Sequence, residues 1–458
     1  MLWLTCSRWV VQFSALLVFF IAMKYVSVEE YGAFSVIVSF IVLNEIVSRE
    51  CIENFVVSTK FLNSKKIEVV CLIFGCISAC ICLALSALFI DSIGLYSYEF
   101  LFVFLTVISQ WSGAFARGVL LKNLQGKKIA ISSSVSSLLS SIISVVLIVA
   151  GYGIMALIVQ QFVLWFIGTL IFRYLSINYV LSDSAYTQSS LSAHIKHSLP
   201  SALFNVLTNR LDVLAISAVL GNHDVGVYSF VKRIYQIIQD LFSGGLERLL
   251  LSRQSHNEKK KMAVAAIRYR SLLSYIVFPM FFGMAILAPY VLPVMFDDKW
   301  HASYQLFYIM ALGSVFASLI SLEKSNYYSS GMIRQLLVVR CFDFLLTASL
   351  LYIFTRESLA FVAFAYTIRF IVLFLVLFFT YSYFVGGRTN YCRELFESIY
   401  PIFAGFLAIY FTYYLLDFYS AVNSILLCFF ILVLISNYII LNLLINRFFL
   451  RLGGKCEK

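Results

Sequence analysis

Charged side chains lie inside otherwise apolar stretches of this chain, and their types and spacing limit the chemistry open to them. Glu45, Arg49 and Glu53 recur every four residues, which places them on one helix face with Asn44 and Glu50 beside them. Such a stripe either neutralises itself and packs on a neighbour or lines a polar cavity. Gln110 and Arg117, seven apart, share a face. Arg210 and Asp212 point to different sides of one helix, which leaves Arg210 available to another partner. Arg233, Gln236, Asp240 and Glu247 fall within about 60° of helix circumference, with Lys232 close to an interface where it can snorkel. Arg369 sits beside Tyr366 with no acid within a turn or two along the chain. The cations Arg49, Arg117, Arg210, Lys232, Arg233 and Arg369 suit an anionic group, because a guanidinium meets phosphate with paired hydrogen bonds. The acids Glu45, Asp212 and Asp240 are candidates to take up a coupling proton or Na⁺. Covalent chemistry has no comparable support. The sequence lacks a glycine-rich phosphate loop, a nucleophile elbow and a Cys-x-x-Cys pair, and its ten cysteines and five histidines are dispersed without metal-site spacing.

The elements that hold these residues must be membrane helices. The chain has 458 residues, 61% hydrophobic and 12% charged, with a mean hydropathy of +0.91. Soluble chains carry about 25% charged residues, so a soluble enzyme, a secreted disulfide scaffold and a disordered chain are excluded. The apolar runs are continuous and about 20 residues long, which fits helices rather than the alternating segments of a transmembrane barrel. The net charge of +11 resides in connecting loops, so it marks topology rather than nucleic acid.

The runs predict an all-α integral membrane protein of about 14 helices, near 9–26, 34–57, 69–90, 101–121, 130–150, 154–181, 200–220, 226–249, 269–296, 302–322, 335–355, 359–384, 396–416 and 423–446. Loops after even-numbered spans hold the basic residues, among them Lys60, Lys65, Lys66, Lys122, Lys127, Lys128, Lys196 and Lys259 to Lys261. The odd loops are short and acidic or neutral, as at Glu29-Glu30 and Asn222-His223-Asp224. The positive-inside rule then puts both termini in the cytoplasm. The first apolar run lacks a cleavage pattern and reads as a retained span. Ser133, Ser137, Ser141 and Ser136, Ser140, Ser144 follow the small-xxx-small spacing that lets helices approach closely.

The chain also repeats itself. Glu30-Tyr31-Gly32-Ala33-Phe34-Ser35 is echoed by Asp224-Val225-Gly226-Val227-Tyr228-Ser229 at an offset of 194, and Gly126 by Gly331 at an offset of 205. Tight turns in which glycine accepts φ > 0 are the expected need. The implied organisation is an N-terminal six-helix lobe at 1–181, a cytoplasmic linker at 182–199, a second six-helix lobe at 200–385, and a helix pair with a basic tail at 386–458.

The pattern Ser27-x-Glu29-Glu30-Tyr31-Gly32-x-Phe34-Ser35, its echo, and the stretch from Phe278-Pro279 to Met295-Phe296-Asp297-Asp298-Lys299-Trp300 resemble polysaccharide flippases of the Wzx type. These belong to the multidrug/oligosaccharidyl-lipid/polysaccharide exporter superfamily. Asp297-Asp298 departs from the glycine that such proteins more often place before the acid. The resemblance implies two lobes around a central cavity and alternating access. It implies translocation of an undecaprenyl-diphosphate-linked oligosaccharide, such as an O-antigen repeat unit, across a bacterial inner membrane. A H⁺ or Na⁺ gradient is the candidate drive, with no bound cofactor. A polysaccharide polymerase and a chain-length regulator are the candidate protein partners. Two rival functions follow from the sequence. A cation-coupled drug or metabolite antiporter of the same superfamily would bind its ion at Asp212 or Glu45. A membrane polymerase or ligase would need a sizeable outer loop carrying Arg or His, and the outer loops here are short.

Overall fold

The computed structural model describes residues 2–58, 64–89, 97–179, 188–254, 259–296, 298–329 and 332–385, and among them no strand occurs. The helices are α1 (Leu2–Tyr25), α2 (Val28–Ser48), α3 (Asn54–Ser58), α4 (Ser64–Phe89), α5 (Ser97–Lys122), α6 (Gly126–Val149), α7 (Gly153–Ser176), α8 (Gln188–Val219), α9 (Asn222–Gln254), α10 (Lys259–Phe296), α11 (Ser303–Ser329), α12 (Ile333–Phe354) and α13 (Leu359–Val385). A π-helical turn, Arg49–Glu53, joins α2 to α3. Among the described residues, ten helices are long and apolar enough to cross a membrane, or eleven if the bent α8 is taken as one. The expected helix pair at 396–416 and 423–446 lies outside the described residues.

The chain divides into two compact units. The first comprises Met1–Phe230, Met295–Trp300 and Thr347–Leu359; the second comprises Val231–Val294, His301–Leu346 and Ala360–Lys458.

In the first unit α5 packs on α4 and α7, α6 lies between α1 and α7, and α2 lies against α8. The α6 serines serve that close packing. Ser137 meets Ser14 of α1 at 2.5 Å, and Ser144 donates to the Ala156 carbonyl of α7 at 3.2 Å. The start of α2 differs from the hydropathy reading, which begins that span at 34. Ser27 caps the helix, its Oγ accepting from Glu30 N–H at 3.2 Å while Glu30 Oε2 accepts from Ser27 N–H at 3.0 Å. This reciprocal box satisfies two orphan amides, and Glu29 and Glu30 complement the positive end of the helix dipole. The segment expected as an outer loop is therefore helix.

The repeated glycines also act otherwise than expected. Gly32 lies inside α2 and Gly226 inside α9, so neither serves a turn. Each exists to let backbones touch. A Cβ on Gly32 would overlap the Asn222 carbonyl, and a Cβ on Gly226 would overlap the Val28 carbonyl. Val28 and Asn222 are themselves separated by 194, so the two contacts are reciprocal images of each other. The left-handed turn positions are instead Gly151, Gly153 and Gly221, with Leu124 at φ 55°. Gly126 opens α6, and Gly331 lies outside the described residues.

The segment Met295–Trp300 completes this end of the first unit. Trp300 is fully buried, stacks on Phe230 at 4.3 Å, and donates from Nε1 to the Met23 carbonyl at 3.0 Å. Lys299 Nζ donates to the Lys24 and Val26 carbonyls at 2.6 and 3.1 Å. Together they satisfy carbonyls that a helix C-terminus leaves without amide partners.

In the second unit Tyr235 donates to the Phe307 carbonyl at 2.6 Å, and Thr367 to the Ile309 carbonyl at 2.7 Å. Arg369 of α13 meets Asp343 of α12 through two hydrogen bonds of 2.8 and 3.0 Å. Both residues are buried. Arg369 is thus paired across helices, in an interhelical ion pair that its own sequence neighbourhood left open beside a role toward substrate.

Two predictions follow from these contacts. Asp343→Leu should remove both of these hydrogen bonds from a buried guanidinium and cost about 3–5 kcal/mol. The double change Asp343→Leu, Arg369→Leu should cost far less, and thermal unfolding in detergent compares them. Gly226→Leu should part the starts of α2 and α9 at about 1–3 kcal/mol, enough to speed maleimide labelling of a Val28→Cys probe about fivefold or more in a cysteine-free background.

Candidate functional site

The sequence stripe of α2 becomes a site because α5 and α7 close over it. Arg49 Nη2 donates to Glu45 Oε1 at 2.7 Å within the helix, as i, i+4 spacing allows. Glu53, at the far end of the π-turn, is shared. Its Oε2 lies 3.9 Å from Arg49 Nε and 3.7 Å from Nε of Arg117, which comes from α5. A π-turn widens the helix locally and is often found at functional positions. One turn-pair earlier on α5, Gln110 enters the same pocket, and Trp165 and Thr169 of α7 line its other side. The α5–α7 contact is tight at this depth. Thr169 Oγ1 donates to the Ser109 carbonyl at 2.8 Å, and a Cβ on Gly113 would overlap the same hydroxyl.

Two features define the chemistry. The first is charge balance, since the carboxylates of Glu45 and Glu53 are matched by the guanidiniums of Arg49 and Arg117. The second is incomplete hydrogen bonding. Gln110 is 1% exposed, yet neither its Oε1 nor its Nε2 has a partner among the described residues, and the same holds for Arg117 Nε. A buried orphan of this kind costs about 1–3 kcal/mol. The pocket has room for about one or two water molecules. The Arg49 and Arg117 side chains remain 41% and 28% exposed, so the pocket is reachable.

The remaining candidates fall elsewhere. Arg210 is half-buried on α8. Asp212 is buried, accepts the Tyr228 hydroxyl at 2.6 Å and the Val213 amide at 2.9 Å, and stands outside the pocket. Lys232 is buried, Arg233 half-buried and Asp240 exposed on the part of α9 that belongs to the second unit, as does Arg369. Of the sequence candidates, the structure therefore gathers Glu45, Arg49 and Arg117. It adds Glu53 and Gln110, visible by helix phase, and Trp165 and Thr169, which carried no polar periodicity. Asp343 stood in plain view as an acid within an apolar run. Among the described residues no group of three or more His, Cys, Asp or Glu could hold a metal ion.

Comparison with known proteins agrees with this architecture. Residues 24–305 match the family described as polysaccharide biosynthesis protein. The succinoglycan biosynthesis transport protein ExoT of Rhizobium meliloti (strain 1021) is 24% identical over 214 residues, which is 44% of this chain; the match spans 42% of that relative's length. Among solved structures, the lipid II flippase MurJ in an inward closed conformation superposes with a TM-score of 0.77 at 16% identity, covering 98% of this chain and 100% of that one. An inward-facing MATE-family multidrug resistance transporter of the MOP superfamily gives 0.63 at 14% identity, covering 82% of this chain and 94% of the other. Matched over more than half its length and folded as these transporters are, the chain belongs to the polysaccharide biosynthesis protein family.

Proposed function

We propose that the protein is a flippase that carries an undecaprenyl-diphosphate-linked oligosaccharide, such as an O-antigen repeat unit, from the cytoplasmic to the outer leaflet of a bacterial inner membrane by alternating access. The observation that carries this reading is the family match over residues 24–305 in a chain with a flippase-like fold. Paired charges deep in the helices support it, because a polar substrate crossing hydrocarbon needs polar walls. The substrate's diphosphate would be met by Arg210, half-buried on α8, through charge-assisted hydrogen bonds. Arg369 instead holds α13 to α12 and contributes indirectly. The energy source would be a H⁺ or Na⁺ gradient, with Asp212, buried under the Tyr228 hydroxyl, as the coupling acid.

A second reading, a cation-coupled antiporter of small molecules, draws on the likeness to the MATE transporter. The charge-balanced pocket argues against it, since a cationic drug would favour a net negative wall.

Deleting the gene should abolish the surface polymer on gels and make lipid-linked repeat units accumulate on the cytoplasmic side. Unchanged polymer with altered sensitivity to cationic drugs would replace the flippase by the antiporter.

A further inference from the structure

The pocket between α2, α5 and α7 has a chemistry more specific than a polar wall. Its four ionised groups cancel, so a dianionic diphosphate placed there would face Glu45 and Glu53 at close range. A cation would face Arg49 and Arg117. A neutral guest suffers neither penalty. Gln110 then narrows the choice. Its amide offers one acceptor and one donor group, both buried and both without partners among the described residues. A complementary guest must accept and donate at once, as a hydroxyl or an amide does and as a fully ionised phosphate does not. Arg117 Nε, 3.7 Å from Glu53 Oε2, adds a donor without a hydrogen-bond partner among the described residues. The volume excludes a pyranose ring but admits one substituent of it. Trp165 lines the pocket beside these groups and gives an apolar flank to the C–H atoms next to such a substituent.

We infer that this pocket is a subsite for a single small neutral polar substituent of the glycan, a hydroxyl or hydroxymethyl group, read by Gln110 with Arg117 and Glu53 beside it. Arg49 and Arg117 then serve sugar recognition rather than the diphosphate. The inference rests on the flippase reading for the identity of the substrate, but the pocket's selectivity can be measured without it.

The test uses full-length protein in lipid nanodiscs, with methyl glucoside, N-acetylglucosamine and inorganic pyrophosphate as probes. Tryptophan fluorescence is the readout, and Trp165→Phe identifies the pocket's signal. The sugars should give a saturable change in the parent protein, weakened at least about tenfold in Gln110→Leu. Pyrophosphate should give none. Gln110→Leu removes an unsatisfied buried amide, so its thermal stability should equal or exceed the parent's while export of polymer in cells falls. A purely structural glutamine would show the reverse. Pyrophosphate binding that disappears in Gln110→Leu would overturn the inference in favour of a phosphate subsite. No response to any probe, together with parental export by Gln110→Leu, would leave a hydrated pocket only and overturn it as well. Failure of the flippase reading registers separately, as unchanged polymer in the deletion strain.

Discussion

An ionised side chain that faces hydrocarbon costs about 2.5–3.5 kcal/mol on insertion scales, and the partner that relieves each one decides which helices touch. Arg369 is met by both oxygens of Asp343, which ties α13 to α12. Asp212 is met by Tyr228, which ties α8 to the start of α9. Glu53 is approached from α5 by Arg117 and from its own helix by Arg49, but neither contact reaches hydrogen-bond distance. The first two arrangements are held by hydrogen bonds within the protein. The third is open, and Gln110 beside it is unsatisfied. Incomplete bonding around Glu53 and Gln110, rather than the mere presence of charge, sets this pocket apart from those two struts.

Backbone contacts impose a second constraint. Water cannot satisfy the ends of helices that pack against one another, so the chain supplies local partners. Ser27 and Glu30 close the start of α2, and Lys299 and Trp300 take the last carbonyls of α1. With their polar groups met, these ends can approach as closely as side-chain volume allows. Gly32 and Gly226 remove that last volume. Trp300 packs on Phe230, one turn beyond Gly226, and on Tyr31, next to Gly32, so aromatic surface lies beside both glycines.

Much of this was legible in the sequence, and the omissions share a cause. Hydropathy located helices over nearly all the described residues, and helix phase put Glu45, Arg49 and Glu53 on one face. The start of α2 was readable from Ser27-x-x-Glu30, a local signal that hydropathy averages away because Glu29 and Glu30 depress it. The pairing of Arg369 was not readable locally. Its partner is 26 residues distant on the neighbouring helix, and periodicity along one helix says nothing about which face of another it meets. The repeat pointed to Gly32 and Gly226 but suggested turns, because a short motif does not tell conformational freedom from the need for close approach. Trp165 and Thr169 entered the pocket through the α5–α7 contact alone.

The echo at an offset of 194 also separates a shared backbone contact from side chains that differ. At the offset of 194 the backbone contact is reproduced on both sides, Gly32 against Asn222 and Gly226 against Val28. The chemistry is reproduced only in part. Glu53 corresponds to Glu247, but Glu45 corresponds to Gln239 and Arg49 to Ser243, and Gln239 donates to the Ala317 carbonyl of α11 at 3.2 Å. Close backbone packing tolerates almost no substitution, since any Cβ at either glycine overlaps a carbonyl. A polar position one face away needs only a partner of suitable charge or hydrogen-bonding type, and a neutral amide meets that condition as well as an ion pair does. Two segments that echo each other can therefore share one backbone contact while differing at Glu45 and Arg49, the positions that pair beside the pocket.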